Sequence, residues 1–325
     1  MNKLTIAIPT YNRNLILKKN LNAILEQDLS SVEILILDNY SLKPVIEDIQ
    51  EEVITHNIKY IRNQFNIGAA ANMVRCFEIA TTRWIWVLGD DDIPDPDCIK
   101  KILADIETYD NYCAINYKTV FARNRDKDTT TNGFTGLINQ LDDFGNLLLI
   151  STNVYNRALL MPQIIYAHMY IYSEALHLAL LFASVGNEGK VFLSKKNIVK
   201  WNVDDMGMEW SYERLGHRIA VLNDFSVIYK VDDRIAKKLA QHIQTHIMPL
   251  SMLLKMGVKK LENEQLLNSN DRYYMEQGFY RDPLQQGSFI KLFRLFVYRA
   301  IINSRFLLRT LFYIKYVFIK KKNTI

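Results

Sequence analysis

Residues 84–96 read WIWVLGDDDIPDP, and this stretch predicts the fold of the chain. Its first part, residues 84–88, is a short run of aromatic and branched apolar side chains, which is typical of a buried β-strand. Gly89 and the prolines beyond the acidic residues end the strand and begin a loop. Three consecutive aspartates, residues 90–92, are therefore expected at the carboxyl end of a buried strand. Open α/β sheets bind their ligands at such ends.

Three adjacent carboxylates repel one another and need a compensating positive charge. Two like charges about 4 Å apart cost roughly 4 kcal/mol at an effective dielectric constant of ~20. A Mg²⁺ or Mn²⁺ ion, which prefers oxygen ligands and often completes its shell with substrate phosphates, would remove that repulsion. The alternative is a solvated acidic turn before a helix that begins near Pro96. For the triplet taken alone, both interpretations stay open.

Composition and cysteine usage limit the class of protein. The chain has 325 residues, 49% of them apolar, so it is long enough for one large α/β domain with an appendage. Its cysteines, Cys76, Cys98 and Cys113, lack metal-ligand spacing, which argues for reduced thiols and against a zinc site or a disulfide framework. The first residues enter a strand directly, so no export signal is expected. These features favour a cytoplasmic protein.

Strand and helix patterns alternate from the start of the chain to about residue 120. Apolar runs that predict strands occur at residues 4–9, 32–37, 58–62, 84–88 and 113–121. Helical spacing of apolar residues fills the segments between them. Strands separated by helices imply right-handed βαβ units. The fold class expected is therefore α/β, with a Rossmann-like, mainly parallel central sheet flanked by helices.

The alternation breaks after residue 122, which divides the chain into residues 1–122, 123–232 and 233–325. Residues 123–136 are polar and rich in Thr, Asn and Asp, so they are predicted to form a mobile loop and a candidate lid. Later patterns predict strands over residues 147–155 and, as a pair, 191–201. They predict helices over residues 173–185, 209–220 and 235–257.

Four short motifs in the first region resemble those of glycosyltransferase family two, whose members are inverting enzymes with the GT-A fold. The motifs, in order, are Pro9-Thr10-Tyr11-Asn12-Arg13, Leu37-Asp38-Asn39-Tyr40-Ser41, Asn66-Ile67-Gly68-Ala69-Ala70-Ala71-Asn72, and Gly89-Asp90-Asp91-Asp92 with Pro96. The resemblance covers residues 3–122 well and the next hundred loosely. It implies a nucleotide-sugar-binding half at 1–122, an acceptor-binding half at 123–232 and a helical carboxyl-terminal extension at 233–325.

The resemblance implies that these motifs bind a nucleoside diphosphate sugar. The residues implied are Pro9, Thr10, Tyr11, Asn12, Arg13, Asp38, Asn39, Asn66, Gly68, Asn72, Asp90 and Asp91. The polar groups after the first strand suit a base, a ribose or a diphosphate, although they could instead cap the next helix. Asp38 or Asn39 can accept a hydrogen bond from the base, with a plain turn as the alternative. Arg62 or Arg75 is close enough in sequence to reach a phosphate.

By the same resemblance, Asp91 is the principal ligand of Mn²⁺ or Mg²⁺, Asp92 shares the ion or orients a water, and Asp90 contacts the ribose. Gly89 stands where many relatives have a further aspartate, and Asn39 stands where they have a second aspartate. The metal would neutralise the departing diphosphate as a Lewis acid. The donor nucleotide expected is UDP, with GDP or dTDP as alternatives.

An inverting transfer needs a base within about 3 Å of the acceptor hydroxyl. Glu174 is the first candidate and His177 the second. The alternative for Glu174 is a place in the first turn of a helix capped by Ser173, and the alternative for His177 is a structural histidine. Three residues after a predicted strand could border the donor site or could be core and turn residues: Trp201, Asp204 and Asp205.

All acidic residues lie at or before Asp282, and nine lysines and arginines follow it. Because the whole chain carries a net charge of +5, the part up to Asp282 carries −4. Residues 289–319 are rich in aromatic and aliphatic side chains, but cations interrupt them, so no stretch approaches the ~20 residues of a membrane span. This pattern is typical of a helix that lies on an anionic membrane surface. Helices packed on the catalytic domain are the alternative, and an RNA-binding tail is disfavoured because no recognition module accompanies it.

Together these features predict a transferase on the inner face of the cytoplasmic membrane. It would move a sugar, with inversion, from a nucleoside diphosphate sugar to a hydroxyl of a saccharide or a polyprenyl-linked saccharide, as in the synthesis of a bacterial O-antigen or capsule. No nucleic-acid partner is expected. A nucleotidyltransferase would need a glycine-rich loop after the first strand, and residues 10–14 contain no glycine. A non-catalytic carbohydrate- or lipid-binding scaffold on the same fold is the other alternative.

Overall fold

A computed structural model of the chain describes residues 2–122, 124–200 and 218–245, together with six single positions between residues 296 and 310. The predictions for Trp201, for Asp204 and Asp205, and for most of residues 289–319 therefore lie outside the described residues.

The described residues belong to two compact units. The first unit contains the residues up to 200 together with residues 225–231. The second contains residues 218–224 and 232–245. Every candidate site residue that the structure describes lies in the first unit.

In the described part of the chain, ten strands form two sheets. They are β1 (Leu4–Thr10), β2 (Val32–Asp38), β3 (Lys59–Arg62), β4 (Trp84–Val87), β5 (Ile93–Pro94), β6 (Ala114–Tyr117), β7 (Thr129–Asn132), β8 (Asn153–Asn156), β9 (Lys190–Ser194) and β10 (Val199–Lys200). The main sheet has the order β3-β2-β1-β4-β8-β6-β9-β7, and β5 pairs with β10 in a small separate sheet. Only β7 and β8 run antiparallel to their neighbours in the main sheet. The predicted α/β class with a mainly parallel sheet is confirmed.

Helices connect the strands and cover the sheet. They are α1 (Asn14–Leu25), α2 (Ile46–Thr55), α3 (Ala69–Ile79), α4 (Cys98–Thr108), α5 (Gly133–Gln140), α6 (Phe144–Leu148), α7 (Arg157–Leu160), α8 (Ile164–Met169), α9 (Leu176–Val185), α10 (Asp224–Ile228) and α11 (Asp233–Gln244). Short 3₁₀ turns occur at Ile150–Thr152, Met161–Gln163, Ile171–Ser173 and Ala220–Asn223. None of the helices in the described ranges is long and apolar enough to cross a membrane.

The core forms where the apolar face of each helix meets the sheet. In α1 the buried residues Leu17, Leu21 and Ile24 recur at helical spacing, and they pack in the same cluster as Trp84 and Trp86 of β4. Burying one such side chain contributes roughly 1.5–3 kcal/mol. The strands carry continuous apolar runs because helices cover both faces of the sheet.

The strand register brings the candidate motifs to one edge. Thr10 at the end of β1 is aligned with Asp38 at the end of β2, and Asp38 is aligned with Arg62 at the end of β3. On the other side of β1, the Leu88 N–H donates to the Ala7 carbonyl as the chain leaves β4. The strand order changes direction at β1, because β2 and β3 lie on one side of it and β4 lies on the other. Sheets of this kind bind ligands in the crevice at such a point, which here lies between the ends of β1 and β4.

The predicted lid at residues 123–136 is wrong for the residues described from 124 onward. Thr129–Asn132 forms β7, which pairs antiparallel with β9, and α5 begins at Gly133. Arg125 is buried and its guanidinium binds the carboxylate of Asp142. The composition looked loop-like, but β-branched threonines also suit a strand that is buried on one side.

Three further element predictions need correction. Residues 144–148 form helix α6, so the strand predicted over 147–155 is limited to β8. The strand pair predicted over 191–201 is not a pair, because β10 bonds to β5 instead of β9. The helix predicted from Ser173 begins at Leu176, since Glu174 has a left-handed backbone with φ of 59°.

Candidate active site

The site lies at the carboxyl ends of β1 and β4. Arg13, three residues after β1, reaches across this crevice to the acidic triplet that follows β4. One of its nitrogens, Nη1, lies 3.0 Å from Asp90 Oδ1 and 2.6 Å from Asp91 Oδ2. The charges of Asp90 and Asp91 raise the pKa of Arg13 against the opposing effect of burial, so the guanidinium stays charged.

Asp90 is buried and bound by two residues from other parts of the chain besides Arg13. Its Oδ2 accepts a 2.7 Å hydrogen bond from the Thr10 hydroxyl, and its carbonyl accepts one from the Asn20 amide. Burial raises the pKa of Asp90 to about 6, although the nearby Arg13 charge and the Thr10 hydrogen bond act in the opposite direction. Asp90 is therefore fixed in position by the protein itself.

The three aspartates differ in how far their side chains are exposed to solvent. The Asp91 side chain is 28% exposed, against 8% for Asp90, whereas Asp92 is buried. A Cβ placed on Gly89 would lie 3.0 Å from Asp92 Oδ2, 3.2 Å from Asp91 Oδ1 and 3.4 Å from Ser151 Oγ. Three oxygens from different residues thus face the same small space, which is open because residue 89 is glycine.

These residues fit a hard divalent cation. Asp91 and Asp92 supply oxygen donors close to each other, and Asp91 opens toward solvent. Among the residues that the structure describes, no group of three or more His, Cys, Asp or Glu side chains is arranged to hold a metal. Within the described residues, Asp91 and Asp92 are the carboxylates that could hold the ion, and the other ligands would come from water and phosphate, as is usual for Mg²⁺ and similar ions.

The structure places Asp38 at the centre of a closed network. Its buried carboxylate accepts hydrogen bonds from the Ser41 N–H at 2.8 Å, the Val45 N–H at 3.3 Å and the Tyr60 hydroxyl at 2.8 Å. Arg62 Nε lies 3.3 Å from the same carboxylate. Its acceptor positions are thus directed at groups of the chain itself, and Asp38 shapes the loop after β2.

Four asparagines lock the loops after β2 and β3 together. Asn39 donates to Asn66 Oδ1 at 2.8 Å and accepts from Asn63 at 2.9 Å, while Asn63 also donates to Asn72. Gly68, with φ of 86°, donates its N–H to Asn66 and leads into α3. Asn39 and Asn72 are buried, so they hold the loop in shape, and Asn66 is the more exposed member. Asn63 was not predicted as a member of this network. The only signal in the sequence is its position three residues before Asn66.

The loop after β1 is held by the loop after β2. Asn12 has a left-handed backbone with φ of 56°, and its side chain accepts a 2.7 Å hydrogen bond from the Leu42 N–H. Its own N–H donates to the Ser41 hydroxyl. Pro9 is aligned with Leu37 within the sheet, and Tyr11 is half-buried beside it. The first two motifs are therefore brought into direct contact, as the parallel register requires.

Tyr40 lies in the loop after β2, next to candidate site residues, but was not itself predicted as one. It is 45% exposed and has a φ of 69°, which is an unusual backbone conformation for an aromatic residue. The guanidinium of Arg62 lies 4.5 Å from the centre of its ring. Such strain often marks binding sites. Arg62 thus belongs to this loop cluster, whereas Arg75 lies half-buried on α3.

In the second half of the unit, Glu174 stands just before α9. The Ser173 hydroxyl accepts from the Ala175 N–H at 3.1 Å and donates to the Tyr170 carbonyl, which fixes the turn that holds Glu174. Glu174 is half-buried, and its backbone is left-handed, so it lies outside the first turn of α9. The alternative explanation, in which Glu174 is part of that turn, therefore does not hold.

His177 has the features of a structural residue. It is buried, its Nε2 donates to the Leu148 carbonyl at 2.9 Å, and burial lowers its pKa to about 4. A histidine in this state is neutral at physiological pH and has no exposed nitrogen, so the geometry gives no support to His177 as a base. It does anchor α9 to the segment before Ser151, whose hydroxyl accepts from the Gly89 N–H.

Known proteins resemble part of this chain in sequence. Residues 5–161 match the sequence profile of glycosyl transferase family 2. The GalNAc(5)-diNAcBac-PP-undecaprenol beta-1,3-glucosyltransferase of Campylobacter jejuni is 32% identical over 96 residues, which is 28% of this chain and 30% of that protein. This chain thus spans about a third of the length of the relatives that it matches.

Solved structures share the fold over most of the chain. The crystal structure of S. aureus TarS 1–349 in complex with UDP-GlcNAc has a TM-score of 0.62 at 15% identity, covering 86% of this chain and 82% of that one. Mannosyltransferase PcManGT from Pyrobaculum calidifontis, in complex with GDP-Man and Mn²⁺, has a TM-score of 0.51 at 13% identity, covering 95% and 83%. At these identities the likeness concerns the fold alone. The resemblance drawn from the four motifs is confirmed: residues 5–161, nearly half of the chain, match glycosyl transferase family 2, and the fold is GT-A.

Proposed function

We propose that this protein transfers a sugar from a nucleoside diphosphate sugar to a hydroxyl of a saccharide acceptor, with inversion and with the help of Mn²⁺ or Mg²⁺. The observation that carries the proposal is the acidic triplet at the crevice between β1 and β4. There the accessible carboxylate of Asp91 stands beside the buried carboxylates of Asp90 and Asp92. A solvated turn would not need two buried carboxylates, so this arrangement favours a binding site over that alternative.

Asp91 would be the principal ligand of the metal, with Asp92 as its neighbour on the Gly89 side. When bound, the ion would supply Lewis-acid stabilisation of the charge that develops on the departing diphosphate. Asp90, held by the Thr10 hydroxyl, would accept a hydrogen bond from the ribose. The more exposed polar groups of the same edge, including Tyr11, Asn12 and Asn66, would contact the nucleotide.

Glu174 would deprotonate the acceptor hydroxyl in a single displacement. Two observations support this role: its left-handed backbone, and the turn built around Ser173 that holds it outside helix α9. The acceptor oxygen would bond to the anomeric carbon on the face opposite the donor diphosphate, whose bond to that carbon breaks, while the carboxylate takes the proton of the hydroxyl. Because attack and departure occur on opposite faces in one step, the sugar would be transferred with inverted configuration.

The relatives suggest the classes of donor and acceptor. TarS is described with UDP-GlcNAc and PcManGT with GDP-Man, so a nucleoside diphosphate sugar is the expected donor, with UDP the first nucleotide to test. The Campylobacter relative acts on an undecaprenol-linked glycan by its name, which favours a lipid-linked saccharide acceptor here. Such an acceptor would place the enzyme on the inner face of the cytoplasmic membrane. The segment after Asp282 with its nine lysines and arginines, called the cationic tail below, would then lie on the anionic lipid surface.

A panel of nucleotide sugars tests the donor class. We expect one UDP, GDP or dTDP sugar, in the presence of Mn²⁺, to raise the melting temperature and to be hydrolysed slowly or transferred to acceptor. Asp91→Asn should remove both effects, whereas Asp110→Asn, a change of the same kind outside the triplet, should remove neither. A nucleotidyltransferase would instead release pyrophosphate from a nucleoside triphosphate, and a scaffold would show no metal-dependent nucleotide binding. Either result would overturn the proposal.

A further inference from the structure

Arg13 already occupies the position of a counter-cation at the acidic triplet. A single nitrogen, Nη1, bridges Asp90 Oδ1 and Asp91 Oδ2, at 3.0 Å and 2.6 Å. The distance to Asp91 is that of a strong charge-assisted hydrogen bond. The side chain of Arg13 is 24% exposed, so part of it faces solvent.

A guanidinium and a divalent ion cannot both bind Asp91 at full strength. Mg²⁺-like ions take carboxylate oxygens at about 2.0–2.2 Å, and an ion that close to Asp91 would repel the guanidinium on the neighbouring oxygen. Asp90 does not need the ion in the same way, because the Thr10 hydroxyl also holds its carboxylate. Competition between the two cations should therefore concern Asp91.

We infer that Arg13 is a resident counter-cation that competes with the divalent ion for Asp91, and that on displacement it turns toward the donor diphosphate. This inference rests on the proposed function, because it assumes the same metal ligand. It explains how two carboxylates can sit side by side, and it couples metal binding to substrate: the guanidinium that has lost Asp91 gains a replacement partner when a diphosphate is present. Metal and nucleotide should thus bind in a mutually supporting way.

The test measures binding of Mn²⁺ alone, by the electron paramagnetic resonance signal of the free ion, to full-length protein without nucleotide. Arg13→Gln removes the competing charge, and Arg13→Lys keeps the charge without the guanidinium. Arg83→Gln is the matched control, because Arg83 precedes the opposite end of β4 and pairs with Asp110. We expect Arg13→Gln to bind Mn²⁺ about tenfold more tightly than the wild type, which is the effect of losing one competing charge-assisted bond. Arg13→Lys should be intermediate and Arg83→Gln unchanged.

A second experiment measures UDP affinity at saturating Mn²⁺, together with the melting temperature. These quantities distinguish an effect on binding from a folding defect. We expect Arg13→Gln to bind UDP more weakly than the wild type, in spite of its tighter metal binding. Its melting temperature should be lower in EDTA and should rise more on adding Mn²⁺ than that of the wild type. Equal or weaker Mn²⁺ binding by Arg13→Gln, or no detectable binding by either protein, would overturn the inference.

The outcomes also separate this inference from the proposed function. If Mn²⁺ with UDP binds the wild type and Asp91→Asn abolishes that binding, the proposed metal site stands, and an unchanged Mn²⁺ affinity in Arg13→Gln overturns only the role of Arg13. If Asp91→Asn binds Mn²⁺ with UDP as well as the wild type does, the metal site is wrong and the inference falls with it.

Discussion

Gly89 and Asp92 approach each other so closely that a Cβ on Gly89 would lie 3.0 Å from the Asp92 carboxylate. The same Cβ would also lie within 3.2 Å of Asp91 Oδ1. Contacts this short force a neighbour to shift, so any side chain here would displace the two carboxylates of the proposed metal site. The absence of a side chain at Gly89 thus leaves the two carboxylates of the candidate site in their present positions.

Gly89→Ala should therefore reduce Mn²⁺-dependent nucleotide binding and lower the free energy of unfolding by about 1 kcal/mol through overpacking. Gly136→Ala is the matched control, because a Cβ on Gly136, in helix α5, meets nothing within 4 Å. That change should stabilise the protein by roughly 0.5–1 kcal/mol and leave nucleotide binding unchanged. Titration calorimetry and urea unfolding measure both quantities. Unchanged nucleotide affinity in Gly89→Ala would contradict the close packing described here.

Asp90 should make stability depend on pH in metal-free buffer. Burial raises its pKa from 3.8 to about 6, so between these values the folded protein holds a proton that the unfolded chain releases. The free energy of unfolding should therefore fall as the pH rises through this window, by on the order of 3 kcal/mol, and level off above it. Asp90→Asn removes the titrating group and should lack this fall. Urea unfolding in EDTA across the window measures it, with Asp110→Asn as the control. An equal slope in wild type and Asp90→Asn would show that another group is responsible.

Asp38 should be required for stability. Asp38→Asn removes the charge that faces Arg62 and turns one acceptor into a donor that opposes the Tyr60 hydroxyl. We expect a loss of about 2–3 kcal/mol in the free energy of unfolding, because a buried carboxylate with its partners is being broken up. Tyr60→Phe removes a single hydrogen bond and should cost about 1 kcal/mol. If Asp38→Asn costs no more than Tyr60→Phe in urea unfolding, the network around Asp38 is not the source of loop stability.

The sequence was sufficient to predict the elements that position the site. Strands β1, β2 and β4 were predicted because burial on both faces leaves a continuous apolar run that is visible without a structure. The triplet after Leu88 was expected at a strand end, and it lies there. In the same way, the order of motifs was enough to identify the family.

The partners of the site residues could not be predicted. Asp38 is bound by Tyr60 and Arg62, which come from a different strand and reach it only through the β2–β3 register. Likewise, nothing in the local sequence indicates that Arg13 bridges Asp90 and Asp91. Composition also misled at Thr129–Asn132, where a polar segment completes the sheet because β9 offers it an edge.

The cationic tail should bind anionic vesicles. Each lysine near such a surface contributes about 1 kcal/mol, so changing Lys320, Lys321 and Lys322 to Gln should weaken binding of the full chain roughly a hundredfold. The control changes three exposed lysines of the first unit to Gln: Lys19, Lys59 and Lys100. Sedimentation with vesicles that contain phosphatidylglycerol, at low and high salt, measures the difference. Equal binding of both triple variants would rule out the tail as the membrane-binding element.

Glu174 should combine loss of catalysis with a gain in stability. As the proposed base, Glu174→Gln should lower the rate of transfer by at least about a hundredfold while the affinity for the donor stays the same. Glu174→Gly should be equally inactive, but it relieves the left-handed backbone and should raise the free energy of unfolding by roughly 0.5–1 kcal/mol.

Lys230→Gly is the control for this pair. Lys230 has a φ of 48°, is exposed and lies outside the candidate site, so the change should give a similar gain in stability with unchanged transfer. If the backbone strain at Glu174 is retained for function, the Glu174 variants should lose transfer activity and Lys230→Gly should keep it. If Glu174→Gln transfers sugar at the wild-type rate, another residue removes the proton, and the left-handed turn before α9 needs a purely structural explanation.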